Sequence, residues 1–410
     1  MHFINPFKGL RPTKKFVSSV VIPSTDHLSD SIITDHKKNN PWSFLNVLNP
    51  KINKNLNEKD LYLMAKKKFE LMKNESILKK ETTKSFYIYK ISSKIHSQIG
   101  IIGIANLSAY DNLHIRGHEE IYHDRAQERS RQMMNLNAQI GPIYVIYQDN
   151  DELNMIINSQ ILLEPLYNFN ALDGYNHSLW LINNNEITSK ISEIFNKINK
   201  VYIADGHHRI EAMLQLSSYK KHQNPNHSGN ESYNYTMISA FPQNQTQILD
   251  YNRLIKDLYG YSDEDFLKQV KKKFIVNKEL TSYKPKKSKT FGMYLNNCWY
   301  SIELKDDIKQ HNLFHINNLD INFLHYYLLE PILGIGDSRY DKRIDFLAGF
   351  KGLKELEKIV NSGNASVGFS LYPTQIEDVI SFADKKLTMP PKSTWFEPKP
   401  LDGLVCYDFE

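Results

Sequence analysis

The chain contains very little cysteine and no long hydrophobic run. Only two of its 410 residues are cysteines, Cys298 and Cys406, and they show no CxxC spacing. A disulfide framework is therefore not expected, and a reducing compartment is the natural setting. No apolar stretch approaches the roughly 20 residues of a membrane span, and the N-terminus lacks an apolar signal region. We therefore expect a soluble protein in the cytoplasm.

A strong net charge is absent as well. Lys and Arg number 51 against 46 for Asp and Glu, which gives a formal net charge of +5. The densest basic run, residues 283–290, has no aromatic side chains alternating with its lysines that could stack on bases. We interpret this run as a solvated loop and do not favour a nucleic-acid partner. The 41% hydrophobic content favours a globular protein of two or three domains.

The order of local patterns favours an α+β architecture over a doubly wound sheet. Residues 85–93 and 98–110 alternate as two strands of a hairpin, and residues 57–76 have the spacing of an amphipathic helix. Residues 16–23 are rich in β-branched side chains and predict a buried strand, and residues 117–140 predict a long polar helix. Helices and strands mix without a sustained βαβ rhythm, which is typical of α+β folds.

The segment YIADGHHRIEAM, residues 202–213, joins an apolar strand directly to a helix. Asp205 and Gly206 fall at the turn, and the two histidines and Arg209 fall in the first helical turn. The first N–H groups of a helix lack intrahelical acceptors and lie at the positive end of its dipole, so they suit an anion. Gly206 lets a ligand approach the backbone, and Arg209 can hold phosphate oxygens in a bidentate manner.

Three interpretations of this segment are open. Asp205 can be a plain N-cap beside a solvated basic turn, although cations at a helix start oppose the dipole. The helix start can hold a phosphate, which we favour, or Asp205 can hold Mg²⁺ between itself and a phosphate. A zinc site is disfavoured because no third strong ligand follows at helical spacing, and the adjacent His207 and His208 point to different sides of the helix.

A second polar cluster lies in HIRGHEEIYHDRAQER, residues 114–129. Its chemistry-bearing residues include His118, Glu119, Glu120, His123, Asp124 and Arg125. The metalloprotease motif HExxH needs its histidines four residues apart, whereas His118 and His123 are five apart. His118 with Glu119 or Glu120 at the start of the predicted helix is instead a general-base candidate. Charge pairs on a solvated helix face are the open alternative for the residues that follow.

A third motif, MPPKSTWFEPKP, occupies residues 389–400. Its Pro-Lys-Ser-Thr stretch is similar to the end of a phosphate-binding P-loop, but Pro390 and Pro391 stand in place of glycine and remove N–H donors. Lys392, Ser393 and Thr394 are therefore either a positioned binding cluster or part of a packed terminal clamp.

Together these motifs resemble the family known as domain of unknown function 1015. The stretches NPFKGLRP, NPWSFLNV, HEEIYHDR, YIADGHHRIEAM and MPPKSTWFEPKPLDGL occur in the order of that family and span nearly the whole chain. One departure is visible. The family usually carries a P-P-Y-D-V-like stretch after the first strand, whereas this chain reads IPSTDHLSD at residues 22–30, which puts substrate contact by that loop in doubt.

A second, more distant resemblance concerns the DGHHR stretch alone. DGHHRIEA is similar to the G-x-x-R-x-x-A box of ParB and sulfiredoxin-like nucleotide-binding proteins, with Gly206, Arg209 and Ala212 in register. INPFKGLRP is faintly similar to the N-P-x-x-x-R loop of the same superfamily, with Arg11 in the last position. Archaeal free-serine kinases of that superfamily carry a D-G-H-H-R-like box and phosphorylate the hydroxyl of L-serine.

The two resemblances imply a three-part organisation and a nucleotide-dependent kinase for a small hydroxylated metabolite, above all free L-serine, using ATP or ADP with Mg²⁺. The implied regions are an N-terminal α+β region (1–150), a ParB/sulfiredoxin-like core (151–260) and a C-terminal α+β region that packs back on the core (261–410). The implied roles are Glu119, Asp205 and His208 in catalysis, Asp205 on Mg²⁺, Gly206, His207, Arg209, Arg11, Lys392, Ser393 and Thr394 on the nucleotide, and His118, Glu120 and Arg125 on the substrate.

Two rival functions belong to other classes. A non-catalytic nucleotide-binding regulator of the ParB-like superfamily would bind nucleotide without turning over a hydroxyl compound. A sulfiredoxin-like activity is not expected, because the box has no cysteine. We see no helix-turn-helix pattern with a basic recognition face, which disfavours a role in DNA binding. A homodimer stays open.

Overall fold

The computed structural model describes residues 2–48, 57–306, 308 and 318–409. Its strands are β1 Ile4–Asn5, β2 Leu10–Pro12, β3 Leu78–Lys80, β4 Phe86–Ser92, β5 Ser97–Asn106, β6 Ile115–Arg116, β7 Ala138–Gln139, β8 Ile143–Tyr147, β9 Tyr167–Asn170, β10 Asn176–Ile182, β11 Val201–Asp205, β12 Tyr235–Pro242, β13 Gln247–Leu249, β14 Tyr251–Ile255, β15 Phe274–Glu279, β16 Thr290–Leu295, β17 Cys298–Leu304, β18 Ile344–Ala348, β19 Val367–Leu371, β20 Trp395–Glu397 and β21 Tyr407–Asp408.

The α-helices are α1 Val17–Val20, α2 Asp30–Asn39, α3 Leu45–Leu48, α4 Glu58–Asn74, α5 Ser108–Asp111, α6 His123–Leu136, α7 Asp151–Gln160, α8 Asn185–Lys197, α9 His207–Gln223, α10 Asp263–Lys273, α11 Asp320–Leu324, α12 Glu330–Leu333, α13 Gly352–Asn361 and α14 Ile376–Asp384. A π-helical turn, His325–Leu329, joins α11 to α12. No helix among the described residues is long and apolar enough to cross a membrane.

Contacts divide the chain into two compact units. The first unit comprises residues 1–117, 121–246 and 398–410, and the second comprises residues 118–120 and 247–397. Both units combine helices with sheets, so the predicted α+β class is confirmed. The three regions expected from the sequence stay a prediction.

The first unit is built on a nine-stranded mixed sheet. Its strands lie in the order β6-β11-β8-β12-β5-β4-β10-β9, and β1 pairs with β5. The predicted hairpin is confirmed, because β4 and β5 pair antiparallel. β11 runs parallel to β6 and antiparallel to β8, and β8 is a buried strand. Pairing with β8 as far as Asp205 fixes the position of the turn that follows β11.

A helical layer in the first unit forms a separate apolar cluster. Helix α4 buries Ala65, Phe69 and Met72, which follow one another at intervals of a helical turn and pack in one cluster with Phe44 and Leu45. The amphipathic helix predicted within residues 57–76 is therefore confirmed, and its apolar face packs in this cluster.

The second unit is built on a six-stranded antiparallel sheet. Its strands lie in the order β15-β17-β16-β19-β14-β18. The β16–β17 hairpin turns at Asn296 and Asn297, whose φ angles are 46° and 59°. Asparagine tolerates this left-handed region and is favoured in two-residue hairpin turns. A short separate ladder pairs β13 with β20.

Two expectations about elements were wrong. Residues 16–23 do not form a strand, because Val17–Val20 is a short helix whose buried Val17, Val20 and Val21 have helical rather than alternating spacing. The long helix expected over residues 117–140 covers only His123–Leu136. Ahead of it, the backbone N–H of Tyr122 is bonded to a histidine side chain instead of continuing the helix.

Gly403 provides a test of how tightly the first unit is packed. It has a φ of +82°, and a Cβ there would overlap the Phe44 ring, whereas Gly229 has a φ of +90° with nothing within 4 Å. We expect Gly403→Ala to lower the free energy of unfolding by about 2–4 kcal/mol, because backbone strain and overpacking add. Gly229→Ala strains only the backbone, so it should lower the free energy of unfolding by about 1 kcal/mol. Urea denaturation measures both, and equal losses would contradict the packing described here.

Candidate functional site

The turn between β11 and α9 has the conformation that the sequence predicts. Strand β11 ends at Asp205, helix α9 begins at His207, and Gly206 between them is the N-cap residue with a φ of +106°. A Cβ on Gly206 would lie 3.5 Å from Ile143, which is an ordinary contact, so the backbone angle rather than space requires glycine here. Since the N-cap residue has no side chain, the interpretation of Asp205 as the N-cap is wrong.

Asp205 forms a sheltered ion pair that was not expected from the sequence. The Nζ of Lys399 donates to Oδ1 of Asp205 at 2.6 Å, across 194 residues of chain. The Lys399 side chain is only 11% exposed and that of Asp205 is 37% exposed. A short charge-assisted bond with one buried partner fixes the orientation of the carboxylate. The C-terminal segment therefore contributes directly to the site.

Arg209 is held by the same C-terminal segment. Its Nη1 donates to the carbonyl of Pro142, and its Nη2 lies 3.7 Å from Oδ1 of Asp402. Gly141 makes this arrangement possible, because a Cβ at that position would overlap the Asp402 carboxylate. The Asp402 contact is longer than an ordinary N–H···O hydrogen bond and is therefore an ion pair without hydrogen-bond geometry.

Arg129, on helix α6, adds a third cation to these residues. Desolvation by surrounding protein atoms and then the Arg209 guanidinium lower the pKa of Arg129, while the carboxylates of Asp402 and Asp205 act in the opposite direction. Arg129 is nevertheless an exposed residue, so desolvation of its guanidinium is incomplete. We call the five residues the box cluster: Asp205, Arg209, Arg129, Lys399 and Asp402. Three cations against two carboxylates at the positive end of α9 make this position electrostatically favourable for an anion.

The two histidines of the box have different surroundings. His207 is 2% exposed, and a Cβ on Gly117 would lie 3.0 Å from its ring. His208 is half-buried and accepts a hydrogen bond at Nε2 from the Tyr122 N–H at 3.1 Å. Its ring stacks on that of Tyr122 at 5.7 Å, and the guanidinium of Arg125 lies over the same tyrosine ring at 5.2 Å. Because Nε2 accepts, the neutral His208 ring carries its proton on Nδ1, as a donor.

The residues fit a protein-held metal ion poorly. Within the described parts of the chain, no group of three or more His, Cys, Asp or Glu side chains is placed to hold one. The carboxylate of Asp205, the expected magnesium ligand, already has the Lys399 ammonium at 2.6 Å. A second cation at this oxygen would meet repulsion from the first.

The segment that carries Lys399 and Asp402 is fixed on the central sheet. The Leu401 N–H donates to the hydroxyl of Tyr89 at 3.2 Å, and this hydroxyl lies 2.8 Å from Nδ1 of His177. Nε2 of His177 lies 3.2 Å from the carboxylate of Asp173. Since Asp173 accepts from Nε2, Nδ1 accepts from the tyrosine hydroxyl. This buried chain of hydrogen bonds positions the backbone between Lys399 and Asp402.

Sequence reasoning missed Lys399, Asp402 and Arg129 as members of the site. Lys399 and Asp402 belong to the PKPLDGL end of the third motif, where charged residues interrupt a proline-rich apolar stretch. That composition could have identified both residues as candidates for the site. Arg129 had no such signal, because it lies in a helix whose exposed face carries many charges.

Arg11, predicted to bind nucleotide, makes its contacts elsewhere in the first unit. It is paired with Glu81 and donates to the hydroxyl of Tyr167 at 2.7 Å. Both Arg11 and Glu81 have side chains that are 11% exposed. These partners do not belong to the box cluster, and the role of Arg11 stays a prediction.

The second unit brings together parts of the other two motifs. His118 is 1% exposed, its Nε2 lies 3.3 Å from Oγ1 of Thr394, and its carbonyl accepts from the Met389 N–H at 2.8 Å. Glu120 is paired with Arg339, and Glu119 is exposed to solvent. The second and third motifs therefore meet around His118.

The turn of the third motif is shaped by its prolines. Lys392 adopts a φ of +58°, and its ammonium lies over the Tyr251 ring at 5.7 Å. The hydroxyl of Ser393 donates to the carbonyl of Pro390 at 2.6 Å. Both the binding-cluster and the terminal-clamp interpretations remain compatible with these contacts.

The fold and the box cluster define an α+β protein with an excess of positive charge at one strand-to-helix turn. The chain belongs to the family described as Protein of unknown function (DUF1015), whose model matches residues 4–322. The resemblance seen in the sequence is thereby confirmed at the level of the family.

Comparison with solved structures gives distant likenesses. They include a free serine kinase in complex with AMP (10% identity, 73% of this chain and 90% of that chain, TM-score 0.34). SbnI with a C-terminal truncation from Staphylococcus aureus is 10% identical over 72% of this chain and 82% of that chain, with a TM-score of 0.34. A conserved hypothetical protein from Pyrococcus furiosus is 10% identical over 73% and 93%, with a TM-score of 0.32. TM-scores this low do not establish a shared fold. A search of curated proteins found no match to this chain.

Tyr89 tests whether the hydrogen-bond chain positions the C-terminal segment. Tyr89→Phe removes the acceptor of the Leu401 N–H, so we expect amide exchange of residues 399–402 to become about tenfold faster. Tyr147→Phe is the matched control, because the Tyr147 hydroxyl is buried without a hydrogen-bond partner among the described residues. Hydrogen exchange read by mass spectrometry measures both variants. Unchanged protection in Tyr89→Phe would contradict the positioning role.

Proposed function

We propose that the protein is a nucleotide-dependent kinase that phosphorylates the hydroxyl of a small metabolite, with free L-serine as the leading substrate. The observation that carries the proposal is the box cluster, in which three cations and two carboxylates gather at the positive end of helix α9. Phosphoryl transfer depends mainly on positioning and on cations that stabilise charge on the phosphoryl oxygens. The box cluster supplies both kinds of group.

The register of the box supports a ParB/sulfiredoxin-like nucleotide-binding core. Gly206 adopts a φ that favours glycine, Arg209 is three residues further on, and Ala212 is fully buried. In the G-x-x-R-x-x-A pattern, the glycine then opens the turn, the arginine faces the ligand and the alanine allows close packing of the helix. Each residue type thus has a physical reason at its position.

Arg209 is the residue that we assign to the nucleotide phosphates. Its guanidinium is anchored at Nη1 by the Pro142 carbonyl, while Asp402 faces Nη2 at 3.7 Å without hydrogen-bond geometry. A phosphate oxygen at hydrogen-bond distance would interact more strongly than this carboxylate does. The helix N–H groups and the Nδ1–H of His208 add further donors of the kind that phosphates accept.

Lys399 and Asp205 form the second part of the proposed mechanism. The ammonium of Lys399 supplies positive charge for the transferred phosphoryl group, and the carboxylate of Asp205 orients the acceptor hydroxyl. Mg²⁺ brought by the nucleotide would add charge neutralisation, but the contact of Asp205 with Lys399 gives it no ready protein ligand here, and no step of this mechanism depends on it. Glu119 as the base remains a prediction from the sequence, together with the roles of His118, Glu120, Arg125, Arg11, Lys392, Ser393 and Thr394.

A non-catalytic nucleotide-binding regulator is the second candidate, and one observation favours it. The carboxylate of the box, Asp205, is already held by Lys399 at 2.6 Å. A protein that only binds a nucleotide needs no carboxylate poised for an acceptor hydroxyl.

Arg209→Ala tests the assignment of phosphate binding. We expect nucleotide affinity to fall by about 10- to 100-fold, because charge-assisted hydrogen bonds to the phosphates are lost. Arg131→Ala is the matched control, since Arg131 is an exposed arginine that is paired with Glu58 and lies outside the box cluster. Isothermal titration with ADP or ATP measures both. Equal affinities of the two variants would overturn the phosphate assignment.

Turnover separates the two candidate functions. Purified protein incubated with ATP or ADP, Mg²⁺ and L-serine should yield O-phosphoserine, detected by ³¹P NMR or mass spectrometry. If nucleotide binds but no phosphoserine or other phosphorylated hydroxyl compound forms, the kinase proposal fails and the regulator remains. If no nucleotide binds, both proposals fail.

A further inference from the structure

The second unit contains a half-enclosed cavity that the proposed kinase mechanism does not use. The volume open to the centre of a water-sized sphere is about 50 Å³. Its lining includes Tyr251, Arg253, Ser288, Asp320, Thr374 and Lys392. One water molecule needs roughly 10–15 Å³ on this measure, so the cavity has room for one small anionic group rather than for a large ligand.

Arg253 is the unusual residue in this lining. It lies on β14 between β18 and β19 and is 1% exposed. Its guanidinium donates to the carbonyls of Tyr251 at 2.8 Å and Lys392 at 3.0 Å, and it lies 4.7 Å from the centre of the Phe346 ring. All of these partners are neutral. Among the described residues, no carboxylate lies within ion-pair distance of Arg253.

A fully buried arginine without a carboxylate partner is rare in folded proteins. Burial lowers the pKa of Arg253 to about 9, and the nearby Tyr251 opposes this only in part. Within the described parts of the chain, the guanidinium therefore has no carboxylate as its counter-charge. An anionic ligand would supply that charge.

Lys392 adds a second cation to the same wall of the cavity. The prolines before it and its φ of +58° turn it so that its ammonium lies over the Tyr251 ring at 5.7 Å. Its side chain is exposed, in contrast to that of Arg253. One buried and one exposed cation on one wall match a ligand whose anionic group enters from solvent.

The carboxylates that line the cavity have other donors. Asp320 is bonded to the Ser288 hydroxyl and accepts from the Lys289 N–H at 2.9 Å. Asp378 accepts from the Gln375 N–H at 3.3 Å, in the capping box of α14. These acids therefore do not neutralise Arg253, and they direct a ligand's anionic group to the wall formed by Arg253 and Lys392.

We propose that this cavity binds the carboxylate or phosphate group of a small metabolite, with Arg253 and Lys392 as its cationic partners. The site is defined within the second unit and does not depend on nucleotide binding by the box cluster. It gives Lys392 a ligand-binding role that stands on its own contacts.

Titration of the full-length protein with inorganic phosphate, with acetate and with neutral acetamide tests the proposal. Phosphate, acetate or both should raise the melting temperature saturably, while acetamide should not. Arg253→Met should weaken this binding by about tenfold or more, because a charge-assisted hydrogen bond is lost. Lys286→Met is the control, since it removes the same charge from an exposed lysine outside the cavity lining.

Two further variants keep the outcome decisive. Lys392→Met, at an exposed position, should weaken binding even if Arg253→Met does not fold. Arg209→Ala should keep the part of the response that Lys392→Met removes, which separates this site from anion binding by the box cluster. The proposal is overturned if neither anion stabilises the wild-type protein, if Lys392→Met responds as the wild type does, or if Arg209→Ala alone abolishes the response. The responses to phosphate and acetate then identify the anionic group.

Discussion

The ion pair between Lys399 and Asp205 ties the C-terminal segment of the chain to the strand-to-helix turn on which the candidate site depends. The bond is short and half-sheltered, and it joins residues that are 194 positions apart. Asp402, three residues after Lys399, forms a longer ion pair with Arg209 at 3.7 Å, in which the C-terminal segment supplies the carboxylate. The first pair holds Asp205 and the second faces Arg209, and with Arg129 the turn has more positive than negative charge. The local electrostatics of the box are therefore set by a distant part of the sequence.

Buried charged side chains have different kinds of partner in the two units. In the first unit, Asp173, His177 and Tyr89 form a row of hydrogen bonds that starts at the Asp173 carboxylate and ends at a backbone N–H. Each polar group in this row has a partner. In the second unit, the buried Arg253 guanidinium contacts backbone carbonyls and aromatic rings, and no carboxylate of the described residues pairs with it. A satisfied network fixes a backbone segment, whereas an uncompensated cation next to a cavity favours a ligand. This difference is the reason for assigning a positioning role to the first and a binding role to the second.

Local patterns in the sequence were sufficient where short-range rules decide the structure. The turn at Gly206, the hairpin of β4 and β5, and the α+β class follow from periodicity and turn chemistry, and the structure confirms them. Residues 16–23 were wrongly predicted as a strand because β-branched side chains there signal burial, which a short helix also satisfies. The composition around Lys399 marked it as a candidate site residue, but its pairing with Asp205 and the position of Arg129 depend on long-range packing that one sequence does not reveal.

The central claim is that the positive charge collected at the start of helix α9 binds a nucleotide phosphate. The most direct measurement is a crystal structure of the protein with ADP or ATP bound. The account predicts phosphate oxygens at hydrogen-bond distance from the Arg209 guanidinium and from the N–H groups of the first turn of α9, with the Arg209–Asp402 pair opened. A nucleotide whose phosphates lie elsewhere, with Arg209 still facing Asp402, would contradict it.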